Sequence, residues 1–310
     1  MKKYLIKRFF ISIVTIWILV TACFFLIRAI PGSPFQTGGT LLSKETEERM
    51  MHYYGLDRPL IEQYFTYLGN LLKGDLGTSL KYTNRSVNSV IKQCFPVSAV
   101  LGLTALAISY PISLLLGIVA AHKRGKAVDY ICIILAVIGV SLPNFVLATF
   151  FQYVFAVKLK WLPAAQWKSP AHMVLPVLSL SIAQLGGSRT MRASMLDVMS
   201  QDYIKTARAK GISKWKVILK HEIGNAYIPL LSGLGSLIAS TVMGTFVIEE
   251  IFAIPGLGKY FVTSIKSLDY TMVVGLTVFY GTFLVFANFA VDLLYGIIDP
   301  RIRIVKGDKE

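Results

Sequence analysis

The chain has 310 residues, 54% of them hydrophobic and only 16% charged, too few charges to coat the surface of a water-soluble domain. Lys and Arg number 32 against 17 Asp and Glu, a formal net charge of +15; in a soluble protein this would point to nucleic acid, whereas in a membrane protein it gathers in cytoplasmic loops facing anionic lipid. A soluble enzyme is excluded, and so is a disulfide scaffold, because Cys23, Cys94 and Cys132 leave at least one thiol unpaired and have no metal-type spacing.

A hydrocarbon core about 30 Å thick needs about 20 apolar helical residues, and six candidate spans occur along the chain. Segment 9–27 follows Lys2, Lys3, Lys7 and Arg8 as a signal peptide would. Its apolar run exceeds a typical h-region and no small-residue cleavage site follows, so it is read as a retained helix. Segments 95–121, 130–157, 223–248 and 270–291 also lack Asp, Glu, Lys and Arg. The fourth span in chain order, 173–188, is shorter and is expected to run on past Arg189 and Arg192 towards water. Basic residues fix the orientation: with the N-terminus inside, the four near residue 2, Lys123, Arg124 and Lys126, the eight between Arg189 and Lys220, and Arg301, Arg303, Lys306 and Lys309 all fall inside. The two short outer loops hold only Lys158, Lys160, Lys168, Lys259 and Lys266. Both termini are expected to be cytoplasmic, with the lipid bilayer as solvent and no nucleic acid as partner.

Outside lies the long segment 31–93. A helix from Lys44 to Tyr54 is closed by Gly55, and Pro59 opens a second with Ile61, Tyr64, Phe65, Leu68, Leu71 and Leu72 on one face. Gly74 and Gly77 end it, and Val87, Val90 and Ile91 suggest a third, short helix. This segment either caps the bundle or offers an amphipathic surface to the membrane or a partner.

Signals for chemistry are weak. Gly258-Lys259-Tyr260 echoes the end of a phosphate-binding loop, but Ala253 stands where that loop needs a glycine and Tyr260 where it needs Ser or Thr. His221-Glu222 opens a zinc-protease helix motif, yet Asn225 replaces the second histidine. His52, His122 and His172 are scattered near expected membrane boundaries or in loops. Small residues recur every fourth position at Ser109, Ser113, Gly117 and Ala121 and again at Ser232, Ser236, Ser240 and Gly244, so each set shares a helix face where another helix approaches closely. Packing within the bundle and a subunit or pore face both account for them. Pro111, Pro143, Pro176 and Pro229 are expected to interrupt helices, and Ser141-Leu142-Pro143-Asn144 places a break and polar groups within a span. Asn144, Gln152 and Gln184 are candidates to line a pathway. Glu249, Glu250 and Asp292 lie near span ends and read as structural or interface groups.

Between the fourth and fifth spans the chain carries Asp202-Tyr203-Ile204-Lys205-Thr206-Ala207-Arg208-Ala209-Lys210-Gly211. Ser200 is expected to cap a helix, Gly211 to break it and Ser213 to cap the next, giving a short, rigid helix–turn–helix knob. Ala207 and Ala209 keep one side thin, and Lys205, Arg208 and Lys210 decorate the rest.

This segment resembles the coupling loop of ABC importer permeases, in the form found in oligopeptide and dipeptide systems. The general form has Glu-Ala-Ala, a Gly four residues after the last Ala, and a distal Pro. Here Lys205 and Thr206 replace the first two residues, Ala207 and Gly211 match, and Pro229 occupies the end; a basic residue in place of Glu suits the peptide subfamily. The resemblance extends over the chain, through Ala29-Ile30-Pro31-Gly32, Tyr54-Gly55-Leu56-Asp57-Arg58-Pro59-Leu60, Ser141-Leu142-Pro143, Trp161-Leu162-Pro163, Ile254-Pro255-Gly256-Leu257-Gly258 and Asp299-Pro300-Arg301-Ile302. It points to the first, B-type, of two permease subunits.

What the resemblance implies is an all-α polytopic membrane protein of the type I ABC importer permease fold, in the bacterial cytoplasmic membrane. Six transmembrane helices are expected, with a helical extracytoplasmic insertion after the first and a cytoplasmic coupling helix between the fourth and fifth. The corresponding division is an N-terminal helix (1–30), an outer helical loop (31–94), a five-helix core (95–300) with its coupling loop at about 200–222, and a tail (301–310). The implied partners are a second homologous permease, two ABC ATPase subunits that hold the ATP and magnesium, and an extracytoplasmic peptide-binding protein; this chain needs no cofactor or metal and has no catalytic residue. Tyr203, Thr206, Ala207, Arg208 and Gly211 are the expected ATPase-coupling residues, with Ala207 against the ATPase groove and Gly211 in a left-handed turn. Segments 31–93 and 254–258 are expected to meet the binding protein. Oligopeptides are the expected cargo, with dipeptides, glutathione or nickel and other metal chelates as alternatives. Rival classes are a stand-alone secondary transporter or channel, which would place ionisable groups deep in the membrane, and a membrane scaffold or sensor, which would not need the knob.

Overall fold

The computed structural model describes residues 2–30, 34–35, 43–82, 84–243 and 245–298, with side chains described from Ile6 to Leu293 within those limits. Gly244, Pro31 and Gly32, the segment 299–302 and the tail 301–310 therefore lie outside the described residues, as do the side chains of Lys2 and Lys3.

In chain order the helices are α1 (Lys2–Arg28), α2 (Lys44–Tyr53), α3 (Leu60–Leu72), α4 (Val87–His122), α5 (Ala127–Ser141), α6 (Asn144–Phe151), α7 (Pro170–Ala183) and α8 (Gly187–Met199). They continue as α9 (Asp202–Ala209), α10 (Lys214–Lys216), α11 (Gly224–Ala226), α12 (Ile228–Met243), α13 (Phe246–Ile251), α14 (Leu257–Lys266) and α15 (Tyr270–Ile298). π-helical turns at Gln152–Lys158 and Val217–Ile223 extend α6 and join α10 to α11, and a 3₁₀ turn at Gln184–Gly186 joins α7 to α8. An isolated bridge between Thr78 and Ser86 is the extent of β pairing among the described residues. Among the described residues, five helical runs are long and apolar enough to cross a bilayer, and α5 with the extended α6 forms a sixth, bent by 101°.

The expected span 130–157 is thus a broken pair. Pro143 has no N–H and pushes Leu142 into an extended conformation (φ −91, ψ 124), which ends α5 one residue before the turn. The other expected interruptions differ. Pro111 lies inside the unbroken α4 and Pro176 inside α7, where each removes one backbone donor while the flanking turns persist. Pro229 is the second residue of α12, a position whose N–H has no intrahelical partner in any case. The short third helix expected at Val87 is the first turns of α4, which continues through Phe95 and Pro96 to His122.

One compact unit comprises residues 1–99 and 255–289. Val20, Val274 and Val278 form its buried centre, with Ile16, Cys23 and Ile27 of α1 and Tyr67, Leu68 and Leu71 of α3 packed against it. α3 and Leu76 are thus folded onto that centre. Two helix ends here share one device: the amides of Leu56 and Gly55 bond back to Met51 and His52, and those of Asp75 and Gly74 to Asn70 and Leu71. This is the Schellman pattern, with Gly55 (φ +65) and Gly74 (φ +78) supplying the left-handed residue. The apolar face expected on α3 is split. Tyr64 is buried and Leu68 and Leu71 pack inward, but Ile61, Phe65 and Leu72 are 60%, 64% and 90% exposed, because that set spans more of the helix circumference than one contact can cover. Asp269 is fully buried ahead of α15; its carboxylate accepts from the amides of Leu80 and Met272, each at 3.1 Å, and from the Ser79 hydroxyl. The exposed Asp57 carboxyl, hydrogen-bonded to the His52 imidazole at 2.8 Å, is held below the usual carboxylate range.

The second unit comprises the described residues of 100–254 and 290–298. Here Ser109, Ser113, Gly117 and Ala121 of α4 face α7 and α8 within the chain. Ser109 donates to Gln184 at 2.8 Å, Ala121 joins Met191 and Met195 in a buried cluster, and a Cβ at Gly117 would meet the Ser188 carbonyl oxygen and Met191 Cβ, both at 2.6 Å. This stripe is internal packing. Ser232, Ser236 and Ser240 of α12 instead lie on an exposed face of the chain.

Candidate coupling site

The knob stands between α8 and α12. Ser200, expected to cap α9, instead closes α8, its hydroxyl donating to the Asp197 carbonyl at 2.7 Å. Gln201, in extended backbone, occupies the N-cap of α9 without a capping side-chain bond, its side-chain amide donating instead to the Asp197 carbonyl at 3.3 Å. Asp202 in the first turn and Arg208 in the last match the helix dipole. At the far end the amide of Ile212 bonds to the Ala207 carbonyl and that of Gly211 to Arg208, so α9 ends in a Schellman motif with Gly211 at φ +73. Ile212 makes the apolar contact that accompanies this motif, against the buried trio Ile204, Ala207 and Val217. Ser213 holds the N-cap position of α10 without a side-chain hydrogen bond. The chain then runs helically through the π turn and α11 to Tyr227, after which α12 begins at Ile228.

Ala207 is therefore not on the outer face. It is 6% exposed and packed with Ile204 and Val217, where α9 lies close on the π turn. Tyr203 (44% exposed), Thr206 and Arg208 form the outward side. Lys205 pairs with Asp202 at 2.8 Å, both well exposed, a contact of little energetic weight. Trp215 (73%) and Leu219 (64%) add apolar area to the outer surface of the second arm; nothing local in the sequence separates them from the inward Val217 and Ile218, since the π turn shifts the helical register.

Two buried carboxylates near the knob escaped the sequence reading. Asp129, at the start of α5, binds Arg192 of α8 through two bonds of 2.7 Å and accepts from the Gly125 amide at 2.9 Å. Glu222, on the π turn, has Arg208 of α9 at 3.0 Å and His122, the last residue of α4, at 3.2 Å. These partners are far apart along the chain or on separate helices, so no local pattern signals the pairing.

Of the candidate pathway residues, Asn144 is half-buried at the bend between α5 and α6. Gln152 donates to the carbonyls of Ala164 (2.8 Å) and Ile251 (3.1 Å), and Gln184 accepts from Ser109. No hydrogen bond joins any two of the three among the described residues. Glu249 is buried and accepts from the Thr245 hydroxyl at 2.6 Å, in keeping with a structural role, while Glu250 is exposed.

Residues 113–304 match the family model of the binding-protein-dependent transport system inner membrane component, and residues 1–102 match the N-terminal model of such membrane components. The chain is 47% identical over 308 residues to the dipeptide transport system permease protein DppB of Bacillus subtilis, covering 99% of both chains. It is 42% and 39% identical to the oligopeptide transport system permease protein OppB of Haemophilus influenzae and of Escherichia coli K12, covering 98% of this chain and all of each relative. Among solved structures, a chain of the MetNI methionine ABC transporter in an inward-facing conformation superposes with a TM-score of 0.50 at 14% identity, covering 69% of this chain and 96% of that one. That likeness bears on the fold alone, which is that of an ABC importer permease.

Proposed function

The chain belongs to the family of binding-protein-dependent transport system inner membrane components, and from that premise we propose that it is one of two permease subunits of an ATP-driven peptide importer in a bacterial cytoplasmic membrane. A second, homologous permease completes the translocation path, two ABC ATPases with their ATP and magnesium dock below the pair, the knob of this chain meeting one of them, and an extracytoplasmic binding protein delivers the cargo. Both termini and α9 lie on the cytoplasmic side, where the basic segments fall. The observation that carries the reading is an exposed, glycine-terminated helix, α9, fastened by apolar packing to a chain similar from end to end to dipeptide and oligopeptide permeases. The exposed Ser232, Ser236 and Ser240 face suits close approach of the second permease, and Asn144 at the broken span suits the path. No step of the transport cycle requires chemistry in this chain.

Di- to oligopeptides are the proposed cargo, their length selected by the binding protein. A strain lacking this chain, fed labelled di-, tri- and pentapeptides and a nickel chelate, should lose peptide uptake and regain it with the gene; loss of chelate uptake alone would replace peptide by chelate. Reconstitution with the ATPases but without a second permease should give no uptake. In intact cells, Lys44→Cys and Lys73→Cys should label from outside, and labelling only after the membrane is opened would invert the orientation.

A further inference from the structure

Glu222 is buried completely, with its side chain 0% exposed, on the π turn that backs α9. Oε1 accepts from Nη2 of Arg208 at 3.0 Å, and Oε2 lies 3.2 Å from Nε2 of His122. The second contact is a close approach without hydrogen-bond alignment. Arg208 remains 57% exposed and His122 21%, so the carboxylate is the sealed member, and the guanidinium and the imidazole close it off. Around it, Ile204 and Ala207 pack on Val217.

Apolar packing alone is non-directional and permits one helix to slide on another. A buried carboxylate behaves differently: withdrawing the Arg208 guanidinium leaves an uncompensated charge in a water-poor site, a far larger penalty than parting a surface pair. We propose that Glu222 is a positioning residue that locks the α9 knob to the end of α4, so that displacement of α9 is delivered to that span instead of being lost as slippage. The inference rests on the reading of α9 as the ATPase contact.

The test uses the complete complex, with second permease, ATPases and binding protein, in proteoliposomes, and reads peptide imported per ATP hydrolysed. Glu222→Gln and Arg208→Gln should each lower that ratio about tenfold, within the range for residues coupled in one ion-pair network. The double variant should fall no further than Arg208→Gln alone, and Arg208→Lys should retain most of the ratio, while the ATPases still co-purify with Glu222→Gln, which changes no outer surface. A defect of folding alone would lower assembled complex and leave the ratio per assembled complex unchanged, and that result, or a double loss equal to the product of the single losses, would overturn the lock. If Glu222→Gln does not assemble, His122→Gln is read by the same ratio and must lower it. In parallel, Thr206→Cys is crosslinked to the ATPases in the otherwise unaltered complex. Crosslinking with an unchanged ratio removes the lock and leaves the reading of α9 intact; no crosslinking removes both.

Discussion

Gly211 offers a clean separation of backbone from side-chain effects in the knob. Its φ of +73 lies in the left-handed region, and a Cβ built there would have no atom within 4 Å. Substitution therefore meets no steric obstacle inside the chain, and its whole cost is conformational. An L-residue pays about 1–2 kcal/mol for that region, a β-branched residue more, and asparagine only part of it. Loss of about 1–2 kcal/mol shifts the ratio of formed to unformed turn by roughly 5–30-fold, because two carbonyl partners, Ala207 and Arg208, are released together with the Ile212 contact. The expected order of damage is Asn, then Ala, then Val, with Gly211→Asn close to the parent. It is measured as protease sensitivity of residues 200–222 in inverted membrane vesicles and as ATPase co-purification, at equal amounts of membrane-inserted protein. Damage from Gly211→Asn as severe as that from Gly211→Val would show that an outside surface, rather than φ, restricts this position; an undamaged Gly211→Val would show that the turn is not needed.

Ala207→Leu should loosen the knob by about 1–3 kcal/mol through overpacking against Ile204 and Val217, and Ala207→Glu by more, whereas Ala209→Glu on the exposed side should change little; equal effects at 207 and 209 on thermal stability would contradict the inward placement. Gly139→Ala should destabilise, since its Cβ would fall 2.2 Å from the Ile182 carbonyl oxygen, a backbone atom of α7 that moves only with that helix; an unaltered melting temperature in detergent would refute that packing. Asp129→Asn should cost about 3–5 kcal/mol, leaving Arg192 without its carboxylate, and a double change of Asp129→Leu with Arg192→Met should recover much of the loss, as followed by thermal unfolding.

The knob connects local chemistry to proposed work in a specific way. Its outer face is built from residues that need only be exposed, Tyr203, Thr206 and Arg208, while its inner face needs a small residue at 207 and a left-handed one at 211. Arg208 serves both faces, since its guanidinium is half in solvent and half committed to Glu222. A change at Arg208 therefore alters docking charge and internal fastening together, and only comparison with Glu222, which has no outer surface, separates them.

Much of the architecture was written in consecutive residues. Charge-free runs of about 20 residues mark the spans, and Gly55, Gly74 and Gly211 each sit where a helix end needs positive φ, a demand set by the backbone of a few neighbours and so visible locally. The same holds for the break at Leu142-Pro143. Tertiary structure decided what depends on which helices meet. Pro96 and Pro111 pass inside α4 because burial along 36 residues outweighs two missing donors; Ala207 turned inward because the π turn lies behind it; and Gln152 and Gln184 were engaged by Ile251 and Ser109. Asp129 found Arg192, and Glu222 found Arg208 and His122, across distances in sequence over which hydropathy and turn chemistry carry no information, since the free energy of a buried charge is set by the partner that folding brings to it and not by its neighbours along the chain.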